Sequence, residues 1–212
     1  MNQIISIDGL IGCGKSSLMG NIIANGINGK KVHHTFEPVD LWRNDSRYGG
    51  INVLDEYYSN SDKYGLAFQV YAAQTFLDVT KKELALMEPD SILIQDRCAL
   101  SGLYQFMPML DIPVYASESL KSMVETSLGS AKPSIFIYVK VSVGTAQKRV
   151  MKRNRSEELG IANDYQEKLK HNIELMMEAM IAKGIRVIVL DGEKSADEVY
   201  MDAVAALNNL EK

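Results

Sequence analysis

The sequence lacks the features that mark secreted, membrane-spanning and metal-binding proteins. Its 212 residues include two cysteines, Cys13 and Cys98, which are too few for a disulfide framework or a cysteine metal site and favour a reducing compartment. No apolar run approaches the roughly 20 residues that a membrane-spanning helix needs. No basic stretch precedes an apolar one at the N-terminus, so we expect no signal peptide, no membrane partner and a cytoplasmic location.

Basic residues are also in short supply. Lys and Arg number 23 against 27 Asp and Glu, which gives a formal net charge of −4. Sequence-independent nucleic-acid binding needs a broad basic surface, so we expect no nucleic-acid partner. Apolar residues make up 46% and charged residues 24%, as in ordinary globular proteins, and the length favours a single domain over residues 1–212.

Short runs rich in β-branched residues alternate with longer amphipathic stretches. The predicted strands are residues 3–8, 31–36, 91–95, 134–139 and 185–190. The clearest predicted helices are residues 66–87, 164–182 and 196–210. This alternation predicts an α/β fold with a five-stranded parallel sheet flanked by helices. Ligands bind such sheets at the carboxyl ends of the strands.

The first predicted strand runs directly into GLIGCGKS, residues 9–16, which matches the phosphate-loop pattern G-x-x-x-x-G-K-S. Glycines allow backbone N–H groups to curl around phosphate oxygens, and a helix that begins near Lys15 adds its N-terminal dipole. We expect Lys15 to reach the β- and γ-phosphates and the Ser16 hydroxyl to bind Mg²⁺. The predicted nucleotide contacts of this loop are Gly9, Gly12, Cys13, Gly14, Lys15, Ser16 and Ser17. The motif predicts a P-loop NTPase fold but does not separate a GTPase switch, an ATPase motor and a small-molecule kinase.

Carboxylates follow two further predicted strands. Glu37 comes after the second strand, and Pro38 keeps it out of helical geometry, so that its carboxylate could accept a proton from an attacking hydroxyl. Asp96 and Arg97 end the third strand, where the acid could approach Mg²⁺ and the arginine could bind an acceptor or phosphoryl oxygen. The alternatives are a capping Glu37 beside a core Trp42, and a surface ion pair of Asp96 with Arg97.

A basic segment follows the fourth predicted strand and its helix. Its cations are Lys148, Arg149, Lys152, Arg153 and Arg155. Arginines on a mobile segment can stabilise the charge that develops during phosphoryl transfer, so we predict a basic lid over about residues 149–163. Closure would also keep water from the γ-phosphate. A nucleic-acid patch or localisation signal is the alternative, and the overall acidity of the chain weighs against it.

The motifs GLIGCGKSS, EPVDLW, FQVYA, DRC and KRNRSEELGI occur in an order and spacing that resemble the deoxynucleoside kinase family over nearly the whole chain. The resemblance implies transfer of the γ-phosphate of ATP, with Mg²⁺, to the 5′-hydroxyl of a deoxynucleoside for nucleotide salvage. It implies a homodimer as well. Glu37 is then the general base, Arg97 contacts the 5′-hydroxyl, and Gln69 pairs with the base. Tyr58 and Glu158 match the family's 3′-hydroxyl ligands.

The resemblance also assigns the remaining site positions. Arg149 would lie against the adenine of ATP, and Arg153 and Arg155 match the lid arginines. The implied base-pocket residues are Val39, Trp42, Leu54, Phe68 and Phe106. Phe68 offers a stacking surface.

Two departures from the family pattern bear on chemistry and specificity. Asp96 and Cys98 stand where most of the family has Glu and Ser, so the acid is one methylene shorter and a hydroxyl is lost; herpesvirus thymidine kinases share the Asp-Arg pair. Phe76 and Gly102 stand where deoxycytidine- and purine-accepting relatives carry Arg and Asp. We therefore predict a pyrimidine preference, with thymidine first and deoxycytidine possible as a second substrate.

A nucleoside monophosphate kinase such as a thymidylate kinase is the close alternative, because it shares the fold, the phosphate loop and Asp-Arg. Such enzymes typically follow Glu-Pro with glycines that admit the acceptor's phosphate. Here residues 39–42 are bulky, and Asp40 would repel a phosphate. A nucleotide-sensing P-loop switch is the third hypothesis, but it has no need for Glu37, Tyr58, Gln69 and Glu158 together.

Overall fold

The sheet is the frame on which the site is built. A computed structural model describes residues 2–27, 29–154 and 161–208. Within these ranges the strands are β1 Gln3–Asp8, β2 Val32–Thr35, β3 Ile92–Asp96, β4 Ile135–Lys140 and β5 Arg186–Asp191. All neighbouring strands pair in parallel, in the order β2-β3-β1-β4-β5. The prediction of a five-stranded parallel sheet is therefore confirmed, and the strand bounds differ from the predicted ones by one residue or less at each end.

Burial follows position in the sheet. The continuous apolar runs of β1, β3 and β4 form the centre, and almost all their residues are buried. Strands β2 and β5 lie at the edges and are mostly half-buried or exposed. Central parallel strands are covered on both faces, which explains why their sequences are apolar throughout rather than alternating.

Helices connect the strands. They are α1 Lys15–Asn25, α2 Val39–Arg43, α3 Val53–Ser59, α4 Ser61–Leu84, α5 Ala99–Ser101, α6 Val114–Leu128, α7 Val143–Arg153, α8 Asn163–Ala182 and α9 Ala196–Asn208. A π-helical segment, Gly102–Phe106, continues α5, and short 3₁₀ turns occur at Ser46–Tyr48, Met107–Met109 and Gly129–Ala131. In the described part of the chain, none of these helices is both long and apolar enough to cross a membrane.

Helix α4 begins five residues before the predicted helix 66–87 and ends at Leu84. The side chain of Asn60 accepts a hydrogen bond from the Lys63 N–H at 3.0 Å, an N-terminal cap that fixes the true start. The predicted helices 164–182 and 196–210 correspond to α8 and α9; residues 209–210 lie outside the described residues.

The register brings the carboxyl ends of three strands together. Ile7 of β1 lies opposite Asp96 of β3, and Thr35 of β2 lies opposite Gln95. The phosphate loop that follows β1, the Asp96–Arg97 pair and Glu37 therefore start from the same edge of the sheet.

An ion-pair cluster anchors the edge strand β2. His33 Nδ1 lies 2.7 Å from Glu83 Oε1, and His33 Nε2 lies 3.1 Å from Glu88 Oε2, which also contacts Lys31 through its other oxygen. The hydrogen bond to Glu83 raises the pKa of His33 above 6.5; burial opposes this, and the bond to Glu88 adds to it. The cluster ties β2 to the C-terminal end of α4.

We predict that His33→Gln lowers the free energy of unfolding at about pH 6 and changes it little at about pH 9. A raised folded-state pKa stabilises the fold fully below the unfolded value of about 6.5, and this contribution is lost as the pH rises through the folded-state value. Urea unfolding at both pH values should show a loss of about 1 kcal/mol at the lower one. Glu83→Gln should remove most of the difference in unfolding free energy between the two pH values, because the hydrogen bond to Glu83 is the main cause of the raised pKa. An equal loss at both pH values would contradict this account.

Candidate active site

The phosphate loop turns between β1 and α1 with almost no room for side chains. Gly12 has a φ of 88°, and a Cβ there would lie 2.5 Å from the Ala146 carbonyl oxygen of α7. A Cβ at Gly9 would lie 2.5 Å from the Cys13 sulfur. Only glycine combines this backbone with this close approach, so the loop's amides stay open to a ligand. Gly14 precedes the start of α1, with a φ of 108°.

A central cavity of about 300 Å³ lies at the carboxyl edge of the sheet. Lys15 and Ser16 reach it from the phosphate loop, and Glu37 and Arg97 reach it from the ends of β2 and β3. Lys15 is buried, and its Nζ donates to the Leu10 carbonyl oxygen at 3.2 Å. Predicted site residues that also line the cavity are Gly12, Val39, Trp42, Leu54, Tyr58, Asp96, Phe106 and Arg153. The phosphate-loop lysine and the proposed base thus face one space.

Arg97 is fixed from several sides. Its Nη2 donates to the Gly9 carbonyl oxygen at 2.9 Å, and its Nη1 donates to Glu37 Oε2 at 3.4 Å. Its guanidinium carbon lies 5.2 Å from the centre of the Phe106 ring. The backbone of Arg97 is left-handed, with a φ of 61°, and its N–H donates to the Ile7 carbonyl oxygen at 3.1 Å. A non-glycine residue in this conformation is strained, and such strain is typical of functional sites.

Glu37 sits between opposing charges. Its side chain is 25% exposed. Burial raises its pKa, the Arg97 guanidinium opposes that rise, and the Asp96 carboxylate adds to it. The net direction is upward, which brings the carboxylate closer to the range in which it can accept a proton near neutral pH. Asp96 is buried, and its Oδ1 has no hydrogen-bond partner within residues 2–27, 29–154 and 161–208.

A buried polar network that the sequence did not predict supports the turn after β3. Ser101 Oγ accepts from the Cys98 N–H at 3.1 Å and donates to Asp8 Oδ1 at 2.7 Å. Gln105 Nε2 donates to the same oxygen at 2.7 Å, and the Ser6 hydroxyl donates to Asp8 Oδ2 at 2.8 Å. Ser101 thus supplies a hydroxyl close to Cys98, whose own thiol has its pKa raised to about 11 by burial. The spacing of Ser101 and Gln105 on one helical face is a signal that could have identified the pair.

An aromatic pocket of about 50 Å³ opens beside the central cavity. Trp42 packs edge-on against Phe68 and Phe76, with ring centres 5.3 and 5.6 Å apart, and donates its indole N–H to Thr75 Oγ1 at 2.9 Å. Tyr57, which the sequence did not predict, stacks on Phe68 at 4.6 Å. The predicted residues that line this pocket are Glu37, Trp42, Leu54, Tyr58, Phe68, Gln69, Phe76, Arg97, Gly102 and Phe106.

Gly102 lies directly against the side chain of Gln69. A Cβ at Gly102 would lie 2.9 Å from Gln69 Oε1, and Gln69 is buried on α4. The absence of a side chain at position 102 therefore leaves the glutamine amide in its place at the pocket wall.

An outer cavity of about 210 Å³ lies on the other side of the phosphate loop. Cys13, Gly14, Ser17 and Arg149 line it, and Arg149 donates to the Cys13 and Gly192 carbonyl oxygens at 3.0 Å each. Gly192 and Lys194, in the loop after β5, are further lining residues that the sequence did not predict. The predicted site residues Arg155 and Glu158 lie outside the described residues.

The donor set fits Mg²⁺ on chemical grounds. Asp96 Oδ1, which has no partner among the described residues, and the Ser16 hydroxyl both belong to residues of the central cavity. Mg²⁺ prefers one or two protein oxygens together with phosphates and water. Among the described residues, no cluster of three or more His, Cys, Asp or Glu side chains could hold a metal by itself.

The fold and the loop define a class of protein, the P-loop nucleotide-binding proteins. Comparison with protein families then places the chain within that class: the model of the deoxynucleoside kinase family matches residues 5–210. The chain therefore belongs to the deoxynucleoside kinase family. It is a kinase, and kinases of this family use ATP as their phosphate donor.

Individual relatives are similar at modest identity. A thymidine kinase of Ictalurid herpesvirus 1 is 25% identical, over 92% of this chain and 82% of the relative. Mitochondrial thymidine kinase 2 of Homo sapiens is 26% identical, over 80% and 62% respectively. A deoxyadenosine kinase of Lactobacillus acidophilus is 30% identical, over 74% and 70%.

We predict that Gly12→Ala weakens ATP binding by roughly tenfold or more and destabilises the fold by about 1–3 kcal/mol. The new Cβ would meet the Ala146 carbonyl oxygen and push the loop away from α7. Calorimetric titration with ATP and thermal unfolding measure the two effects.

Gly20→Ala is the matched control for that substitution. Gly20 is exposed within α1, with nothing within 4 Å of an added Cβ, so the change should stabilise the helix by up to about 1 kcal/mol. Wild-type ATP affinity in Gly12→Ala would show that the loop does not need this close approach.

Proposed function

We propose that this kinase transfers the γ-phosphate of ATP to the 5′-hydroxyl of a pyrimidine deoxynucleoside, with thymidine preferred, in nucleotide salvage. One observation carries the proposal. Glu37 and Arg97 line both the central cavity and the aromatic pocket. Lys15 and Ser16 line the central cavity on one side of them, and Gln69 lines the aromatic pocket on the other. A nucleoside whose base occupies the aromatic pocket would extend its primary alcohol towards the acid and the triphosphate site.

Glu37 acts as the general base in this proposal. Its raised pKa supports proton transfer from the 5′-hydroxyl near neutral pH. Arg97 holds the same oxygen by a hydrogen bond while its Nη2 stays on the Gly9 carbonyl, so the acceptor is placed in a fixed relation to the phosphate loop. Tyr58 and Glu158 bind the 3′-hydroxyl.

The donor occupies the opposite side of the loop. Lys15 and the loop amides bind the β- and γ-phosphates, and Arg149 packs against the adenine. Arg153 and Arg155 close over the transferring group, where fixed cations stabilise the developing charge. Ser16 and Asp96 would hold Mg²⁺, which neutralises phosphate charge when bound.

The base preference rests on the polarity of the aromatic pocket. Phe76 and Gly102 place no charge beside the base, and Gln69 offers a donor and an acceptor side by side for a pyrimidine edge. Two of the similar proteins bear the name thymidine kinase, which supports thymidine, and another is named deoxyadenosine kinase.

The residues that follow Glu37 and Pro38 disfavour a thymidylate kinase reaction. Trp42 is buried, so an acceptor phosphate would meet bulk there. Asp40 also lines the central cavity and adds like charge, which Arg43 at 3.8 Å partly offsets. The single domain, the homodimer and the cytoplasmic location stay predictions.

We predict that Glu37→Gln lowers kcat by about 10²–10⁴, the range typical of losing a general base. The amide keeps the size of the side chain, so the dissociation constant for thymidine should change little. Glu118→Gln, on the exposed face of α6, is the control and should keep full turnover. Near-normal turnover in Glu37→Gln would remove Glu37 from this role.

Steady-state kinetics with ATP and Mg²⁺ test the acceptor. We expect the highest kcat/KM for thymidine, a lower value for deoxycytidine, and values lower by roughly tenfold or more for the purine deoxynucleosides. Thymidine monophosphate should not be phosphorylated. A purine preference would contradict the proposed base preference, and turnover of the monophosphate would favour the thymidylate kinase alternative.

A further inference from the structure

The hydroxyl of Tyr165 is a buried polar group with no role in the function proposed above. Tyr165 lies in the first turn of α8; its ring is half-buried and its hydroxyl oxygen is closed to solvent. Within the described part of the chain this oxygen has no hydrogen-bond partner of normal geometry, although the Tyr57 phenol is close enough to interact with it. Buried hydroxyls in native proteins are rarely left without a partner, so this one points to a missing contact.

Tyr165 faces the end of the acceptor site. It lines a cavity of about 420 Å³, here called the tyrosine cavity, together with Tyr57 and Tyr58 of α3. Tyr58 also lines the central cavity and the aromatic pocket, so the three spaces meet at this side chain. Tyr165 and Tyr58 therefore line one space that adjoins the acceptor site.

The start of α8, where Tyr165 lies, is tied to the phosphate loop. The neighbouring Gln166 is buried, and its Nε2 donates to the Ile11 carbonyl oxygen of the loop at 2.9 Å. Gln147 of α7 donates to the Ile161 carbonyl oxygen, just before α8, at 2.6 Å. These two hydrogen bonds hold the start of α8, and with it the Tyr165 hydroxyl, in a fixed position relative to the nucleotide site.

The phenol keeps its proton under all ordinary conditions. Burial raises the pKa of Tyr165 well above its usual value; the nearby phenols of Tyr57 and Tyr58 act in the same direction, and Arg97 opposes them. The group is thus available as a hydrogen-bond donor, and Tyr58 offers a hydroxyl that can accept from it and donate onwards.

Building on the proposed function, we propose that Tyr165 is a positioning residue for the acceptor sugar. Its hydroxyl donates to the Tyr58 hydroxyl when a deoxynucleoside is bound, and Tyr58 in turn donates to the 3′-hydroxyl. Chains of hydrogen bonds strengthen one another in a site of low polarity, so the loss of the first donor weakens the second contact.

Tyr165→Phe tests this by removing one oxygen atom. The KM and the calorimetric Kd for thymidine should rise roughly 5–20-fold, the equivalent of one lost hydrogen bond, while kcat stays within about twofold. The thermal midpoint should fall little, because the deleted hydroxyl has no hydrogen bond of normal geometry among the described residues. A purely structural role would instead lower the midpoint and leave KM unchanged.

A second acceptor isolates the contact. Because 3′-deoxythymidine lacks the 3′-hydroxyl, Tyr165→Phe should change its Kd by less than about twofold. Equal weakening for both nucleosides, or an unchanged KM for thymidine, would overturn the proposal. Phosphorylation of thymidine by the wild-type protein tests the underlying function separately, whatever the variant does.

Tyr138→Phe is the matched control. Tyr138 of β4 also carries a buried hydroxyl without a hydrogen bond in the described residues, and it lies in none of the cavities described above. Its replacement should leave both the KM for thymidine and kcat unchanged. If Tyr138→Phe raised the KM for thymidine as much as Tyr165→Phe does, the effect would follow from the loss of any buried hydroxyl. That result would overturn the role assigned to Tyr165.

Discussion

The alignment of the active site depends on the guanidinium of Arg97, which contacts both the phosphate loop and Glu37. One nitrogen is held by the Gly9 carbonyl of the phosphate loop, and another reaches the Glu37 carboxylate beyond β2. Donor and acceptor machinery are therefore placed by the same side chain. Arg97 can do this because its backbone is left-handed, which turns the side chain back across the end of the sheet. A shift of this one residue would misalign both halves of the site.

Hydrogen bonds from uncharged donors to a buried carboxylate support the turn that carries Arg97. The Asp8 carboxylate is fully buried and is satisfied by Ser6, Ser101 and Gln105, none of which carries charge. Buried carboxylates are tolerated when several donors converge on them, and here those donors also fix the turn that follows β3. The turn keeps its strained conformation because its support is polar, directional and closed to water. The same buried residues therefore both pack the core and hold Arg97 in its catalytic position.

Much of the fold could be predicted because local pattern and tertiary position agree. The central strands are continuous apolar runs, and the phosphate loop follows the first of them. Strand β2 gave a weaker signal, because an edge strand of the sequence VHHT is only half-buried. The link from Asp8 to the turn after β3, the Gly192–Lys194 wall and the cavity that Tyr58 shares with Tyr165 join segments far apart in the chain. No spacing along the sequence predicts that such segments come together. Cys98 and Ser101 differ from these cases, because they are only three positions apart and the replacing hydroxyl is close by in the sequence.

The contact between Gly102 and Gln69 restricts how the substrate range of this kinase could change. Any side chain at position 102 would displace the glutamine oxygen that lies 2.9 Å from the missing Cβ. A substitution that introduced a new base-reading group there would therefore disturb the existing one at the same time. That oxygen is at the end of a flexible side chain, so Gln69 would have to turn to admit a residue at position 102. Recognition of the base through Gln69 and the residue type at position 102 are therefore coupled.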